Sequence, residues 1–221
     1  MEFYQLEGMD YLIRKPSCFD EKRKYPVILL LHGSGSRGKD IQMLLKNPFF
    51  TITEKMDLPF VTVAPQCSED SWFDMFERLK RLVRHIVSLD YVDAERLYMT
   101  GASMGGYGSW HLAMSMPEHF AAIAPICGGG TYANAGRLKN VPVWAFHGAK
   151  DRLVLPEESE KMCRCVNGCG GSAKLTVYPE NGHDAWSDTY SNPELYEWFL
   201  SHRRAEASAP DLFVSDARKF G

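Results

Sequence analysis

The feature that most limits what this chain can fold into is an alternation, from Tyr25 onward, of short apolar runs with longer amphipathic stretches. The apolar runs Tyr11–Arg14, Val27–His32, Phe60–Ala64, Leu97–Gly101, Ala121–Cys127, Val143–His147 and Lys174–Tyr178 have strand length. Most are continuous rather than alternating, the pattern of strands buried on both faces. Between them, Met75 to Leu89 places Met75, Leu79, Leu82, Val83 and Ile86 on one helical face and its charges elsewhere. Met104–Met116 ends before Pro117, Glu157–Asn167 follows Pro156 and stops at Gly168, and Pro193–His202 opens on a proline suited to a first turn. This order predicts an α/β fold, a mostly parallel central sheet with helices on both faces. No repeat or Gly/Ser linker divides it, so one domain is expected over residues 1–202, with 203–221 as a C-terminal tail.

Composition narrows the function. The 221 residues are 45% hydrophobic and 24% charged, which excludes general disorder. Lys and Arg number 25 against 28 Asp and Glu, a net −3 without charge blocks, so no nucleic-acid partner is expected. The longest aliphatic run, Val27–Leu31, is far short of a membrane span, and no membrane partner is expected. The start MEFYQLEGMDYLIRKP has no basic n-region or apolar h-region, which gives an expectation of a cytoplasmic protein. Six cysteines are too sparse for a disulfide scaffold, and the C-x-C-x3-C of Cys163, Cys165 and Cys169 lacks the fourth ligand of a structural zinc site. No metal and no cofactor are expected.

Gly101-Ala102-Ser103-Met104-Gly105 matches G-x-S-x-G, between an apolar strand and a helix that starts near Met104. A serine there must turn sharply, and flanking glycines allow backbone and helix to approach without a Cβ clash. The helix start offers the Met104 amide to charge developing on an acyl oxygen. A serine hydroxyl needs a base and a carboxylate to orient it. His183, in Glu180-Asn181-Gly182-His183-Asp184, and Asp151, after Val143–His147, both follow strand ends. Their order, Ser103, Asp151, His183, is that of nucleophile, acid and base in α/β-hydrolases. Asp184 would have to fold back on its neighbour, and His85 and His111 lie inside helices. The glycine-rich loop Leu31-His32-Gly33-Ser34-Gly35 nominates the Ser34 amide as the second oxyanion donor and His32 as a residue that holds the loop.

Together LHGSG, GASMG, FHGAKD and NGHDAW resemble the α/β-hydrolase superfamily. Within it they resemble the compact bacterial serine esterases grouped with dienelactone hydrolase, phospholipase/carboxylesterase and feruloyl-esterase-like enzymes. The resemblance spans about residues 10–200 and implies the α/β-hydrolase fold without a large lid domain, with Ser103, Asp151 and His183 as catalytic triad and Ser34 and Met104 as oxyanion hole. Dienelactone hydrolases proper are expected to carry cysteine where this chain has Ser103, so their substrate is not implied. The resemblance also suggests that Gln66 and Trp72 border the substrate pocket. Trp72 is equally suited to stapling the following helix, Trp186 has the same two readings, and Cys127 at a strand end is a further wall candidate. The expected function is a serine carboxylesterase acting on small to medium soluble esters. A serine peptidase of prolyl-oligopeptidase type or a thioesterase is the alternative, and a non-catalytic hydrolase-fold binding protein is the rival of another class. A small-molecule ester is the expected partner, and a homodimer is compatible with the sequence.

Overall fold

The computed structural model describes residues 1–204. The tail expected over 203–221 therefore lies outside the described residues except for its first two. Eight strands form one sheet: β1 (Glu2–Leu6), β2 (Met9–Arg14), β3 (Tyr25–Leu31), β4 (Val61–Pro65), β5 (Val92–Ala102), β6 (Ala122–Ile126), β7 (Val143–Gly148) and β8 (Ala173–Tyr178). Their spatial order is β1-β2-β4-β3-β5-β6-β7-β8, with β1 and β2 antiparallel at one edge and the other six parallel. The helices are α1 (Pro48–Thr53), α2 (Phe76–Ser88), α3 (Met104–Ser115), α4 (Glu157–Gly168), α5 (Trp186–Ser191) and α6 (Pro193–Leu200).

Alternation along β3 shows why the parallel strands read as unbroken apolar runs. Val27, Leu29 and Leu31 enter one hydrophobic cluster, while Ile28 and Leu30 enter a second on the opposite face. Helix α2 joins the first cluster through Leu79, Leu82, Val83 and Ile86, four fully buried side chains worth about 1.5–3 kcal/mol each. Helix α3 is apolar nearly all round because it packs against β3, β5 and β6 at the centre of the molecule.

Among these strands and α-helices, three were not expected from the sequence. Strand β1 is almost wholly exposed and so has no apolar run to betray it; it is set by the Glu7-Gly8 turn, whose φ angles of 47° and 78° suit a tight hairpin. Helices α1 and α5 are six residues each, too short to show a period. The first is nonetheless capped, since the Phe49 amide donates to Asn47 Oδ1 at 3.0 Å and Pro48 begins it.

The chain leaves β3 for β4 on one side and β5 on the other, so the sheet reverses direction between β3 and β5. Ligand crevices form at the carboxyl ends of strands flanking such a reversal. The loop beginning at His32 follows β3, and Ser103 follows β5.

Candidate active site

Ser103 sits between β5 and α3 with φ 57° and ψ −118°, a conformation that costs a non-glycine residue about 1–3 kcal/mol. The surroundings enforce it: the Ser103 amide donates to the Ile126 carbonyl at 2.9 Å, and the Tyr107 amide donates back to the Ser103 carbonyl at 3.0 Å. Gly105 is required for contact rather than torsion. A Cβ there would lie 1.9 Å from the Leu31 carbonyl oxygen, so any side chain would push α3 away from β3.

Three residues from distant parts of the sequence meet at this turn. His183 Nε2 lies 2.9 Å from Ser103 Oγ, and His183 Nδ1 lies 2.7 Å from Asp151 Oδ2. The other carboxylate oxygen, Asp151 Oδ1, accepts from the amides of Leu153 at 2.9 Å and Val154 at 3.1 Å. Burial opposes the negative charge of Asp151, but the hydrogen bonds from His183, Val154 and Leu153 outweigh it and hold the carboxyl below its usual range. With Nδ1–H donated to Asp151, the His183 Nε2 lone pair faces the Ser103 hydroxyl, so the arrangement can take that proton.

The loop after β3 comes within contact distance of the serine: a Cβ on Gly33 would lie 3.2 Å from the Ala102 carbonyl oxygen and 3.7 Å from Ser103 Cβ. This loop is tied from below. His32 donates from Nδ1 to the Gly33 carbonyl at 2.8 Å and accepts the Cys67 amide on Nε2 at 3.0 Å, while the Trp72 indole donates to the His32 carbonyl at 3.0 Å. Gln66 Nε2 donates to the carbonyls of Ser36 at 2.6 Å and Gly38 at 3.0 Å. Burial, against a partly compensating bond to Gly33, pushes the His32 imidazole down to about 4, which keeps it neutral. Ser34, on this loop, lines the same cavity as Ser103, and Met104 is the first residue of α3.

A cavity of about 220 Å³ opens beside Ser103, lined on its apolar side by Leu30, Pro48, Trp186 and Tyr190. Trp186 stands edge-on to His183, centroids 5.4 Å apart and planes at 89°. Of the four wall candidates read from the sequence, Trp186 lines this cavity and the other three do not. Gln66 and Trp72 lie beneath the β3 loop as its supports. Cys127 is fully buried, its thiol donating to the His183 carbonyl at 3.3 Å. The wall residues Asn47, Pro48 and Tyr190 come from α1, its cap and α5, elements without a periodic signal, and the sequence reading missed them.

Among the described residues, the atoms of Cys127, His147 and Asp151 approach within 4.8 Å of one another. Both nitrogens of His147 and both oxygens of Asp151 are already engaged in protein hydrogen bonds, so the trio presents a closed network and not an open coordination site. Cys163 is buried on α4, Cys165 half-buried and Cys169 exposed.

The pattern of the dienelactone hydrolase family matches residues 64–208. The chain belongs to that family. Its relatives include the "Probable feruloyl esterase C" of Aspergillus niger, 24% identical over 84% of this chain and 71% of that protein. The "Bifunctional acetylxylan esterase/xylanase XynS20E" of Neocallimastix patriciarum is 29% identical over 48% of this chain and 16% of its own length. Among solved structures, a thermostable esterase superposes with a TM-score of 0.84 at 30% identity, covering 92% of this chain and 62% of that one. Est1E from Butyrivibrio proteoclasticus superposes at 0.69 with 16% identity, covering 90% of this chain and 97% of that one, a likeness of fold. This dienelactone hydrolase family member is thus an α/β-hydrolase of the esterase type. It carries serine at position 103, in the turn between β5 and α3, and no described helix is long and apolar enough to cross a membrane.

Proposed function

We propose that the protein is a serine carboxylesterase that hydrolyses small to medium carboxylic esters through an acyl-enzyme on Ser103. The observation that carries this reading is the continuous hydrogen-bonded line Ser103 Oγ, His183 Nε2, His183 Nδ1, Asp151 Oδ2, at 2.9 and 2.7 Å. Ser103 Oγ attacks the ester carbonyl as His183 Nε2 takes its proton, and Asp151 stabilises the imidazolium that results. The carbonyl oxygen, now anionic, is received by the amides of Ser34 and Met104. Collapse expels the alcohol, which takes the proton from His183. Water, deprotonated by His183, then attacks the acyl carbon and releases the acid and free Ser103.

The cavity bears on substrate size. A volume of about 220 Å³ beside the serine suits a short acyl chain or one aromatic ring, and Trp186 and Tyr190 offer faces and edges for a planar acid. The feruloyl esterase named above gives a reason to include methyl ferulate among the substrates tried.

The test is intact mass after reaction with a fluorophosphonate, for wild type and Ser103→Ala, beside turnover of p-nitrophenyl acetate, butyrate, octanoate and methyl ferulate. One stoichiometric adduct lost in Ser103→Ala, with turnover of the shorter or aromatic esters, is the expected result. Cleavage of peptide or thioester substrates without ester turnover would replace the ester reading. Absence of both labelling and turnover would overturn the esterase reading in favour of a non-catalytic binding protein.

A further inference from the structure

The reaction described above employs one histidine, yet a second lies directly beneath the same carboxylate. His147 is the fifth residue of β7 and its side chain is fully buried, as is that of Asp151. Its Nε2 is 2.9 Å from the Val154 carbonyl oxygen and 3.3 Å from Asp151 Oδ2. Its Nδ1 is 2.8 Å from Ser159 Oγ, and Ser159 Oγ is 2.9 Å from the Gly128 carbonyl oxygen.

The hydrogen-bond partners constrain the protons on this ring. The carbonyls of Val154 and Gly128 and the ionised Asp151 only accept, and the Ser159 hydroxyl has a single proton to give. If Nε2 were bare, it would face two acceptors with no hydrogen between. If Nδ1 were bare, Ser159 could serve either Nδ1 or Gly128 but not both, leaving one buried acceptor without a donor. A ring protonated on both nitrogens satisfies every contact: Nδ1–H to Ser159, Ser159 O–H to Gly128, and Nε2–H to Val154, with Asp151 Oδ2 at 3.3 Å as an ion-pair contact.

We propose that His147 is held as an imidazolium under Asp151, a buried counter-ion that positions the carboxylate for His183 and moderates the field the carboxylate exerts on that base. The proposal rests on the reading of Asp151 as the partner of His183. His147 touches no reacting atom and is a positioning residue. The groups around it are consistent with a cation. Asp151 adjoins it on its own loop, and Glu158 precedes Ser159 on α4. The Cys127 thiol, after β6, is pushed by burial up to about 12 and stays neutral. The Tyr107 phenol, from α3, is raised by burial and by Glu158 and Asp151, and is neutral too. His183 Nδ1 meets the same carboxylate oxygen, Asp151 Oδ2, at 2.7 Å.

The first experiment is NMR of the wild-type enzyme with ¹⁵N-labelled histidine rings at pH 7.5, with His147 assigned from His147→Gln or, if that variant does not fold, from the perturbation caused by Ser159→Ala. Two protonated ring nitrogens on His147 are expected, and a neutral tautomer pattern would overturn the proposal. The second is the pH profile of kcat/KM for His147→Gln, which keeps an amide donor but removes the charge. Leaving Asp151 uncompensated raises the acid-side midpoint by about one pH unit, whereas a purely structural role lowers activity and leaves the midpoint in place. Fluorophosphonate labelling of Ser103 in the same samples reports on the esterase reading separately, because the NMR result does not depend on turnover.

Discussion

Gly148 and Gly182 are in backbone contact: a Cβ added to Gly148 would lie 2.0 Å from the Gly182 carbonyl oxygen. The end of β7, which leads to Asp151, therefore abuts the turn that carries His183. The Lys150 amide donates to the Asn181 carbonyl at 2.8 Å and locks the two loops together. Asp151 and His183 are thus aligned as one unit.

Gly148→Ala should separate these loops. A displacement near 1 Å costs about 10²-fold in rate when reacting groups are misaligned. The expected outcome is a kcat lowered by that order in protein that still unfolds cooperatively, measured by steady-state kinetics beside a thermal melt. Unchanged kcat would mean that the loops adjust independently.

Asp151→Asn keeps the shape of the side chain and removes its charge. Turnover should fall by about 10⁴-fold, as when the orienting carboxylate of a serine triad is lost. Because the carboxyl of Asp151 is held below its ordinary value of 3.8, it is ionised throughout the working range, and its stabilising contribution is present above that value and lost only as pH falls through the lowered one. Stability of the Asp151→Asn variant measured from pH 7 down to about pH 3 should therefore lack the part of the acid loss that wild type shows as its carboxyl takes up a proton.

His32 gives the opposite residue type and a different window. Unfolded, its ring takes a proton near 6.5; folded, only near 4. The unfolded state binds more protons between these limits, so the stabilisation from keeping the ring neutral is complete above 6.5 and is lost as pH falls toward 4. The difference between the two values corresponds to about 3 kcal/mol. Denaturant unfolding at about pH 7 and about pH 4.5 should show this slope, and His32→Asn should flatten it.

The cysteines distinguish serine from thiol chemistry. Cys18 and Cys169 are exposed, whereas Cys67, Cys127 and Cys163 are buried and burial raises all three thiols. Iodoacetamide should modify Cys18 and Cys169 first in the native protein and leave ester turnover intact, read by peptide mapping of the alkylated enzyme. Inactivation in step with Cys127 alkylation would point to that thiol.

Much of this arrangement was legible from residue order. Ser103, Asp151 and His183 could be placed because each follows a strand that announces itself as an apolar run, and a parallel sheet brings the carboxyl ends of its strands to one edge. What could not be read depends on tertiary contact. Trp72 carries the same side chain whether it walls a pocket or props up a loop, and only the indole bond to the His32 carbonyl settles that it props. Strand β1, exposed along nearly its whole length, is held by the Glu7-Gly8 turn and its pairing with β2, such as Tyr4 stacked on Tyr11 at 5.5 Å. Pro48 and Tyr190 reach the cavity from helices too short to carry a periodic signature.

The ties beneath the β3 loop bear on how the enzyme responds to heat. His32, Trp72 and Gln66 tie the carbonyls of His32, Gly33, Ser36 and Gly38 from below, so the loop gives up conformational entropy when the domain folds. A loop tied in this way is expected to melt together with the sheet. Activity should survive on heating for as long as the sheet itself survives, and thermal inactivation should coincide with global unfolding.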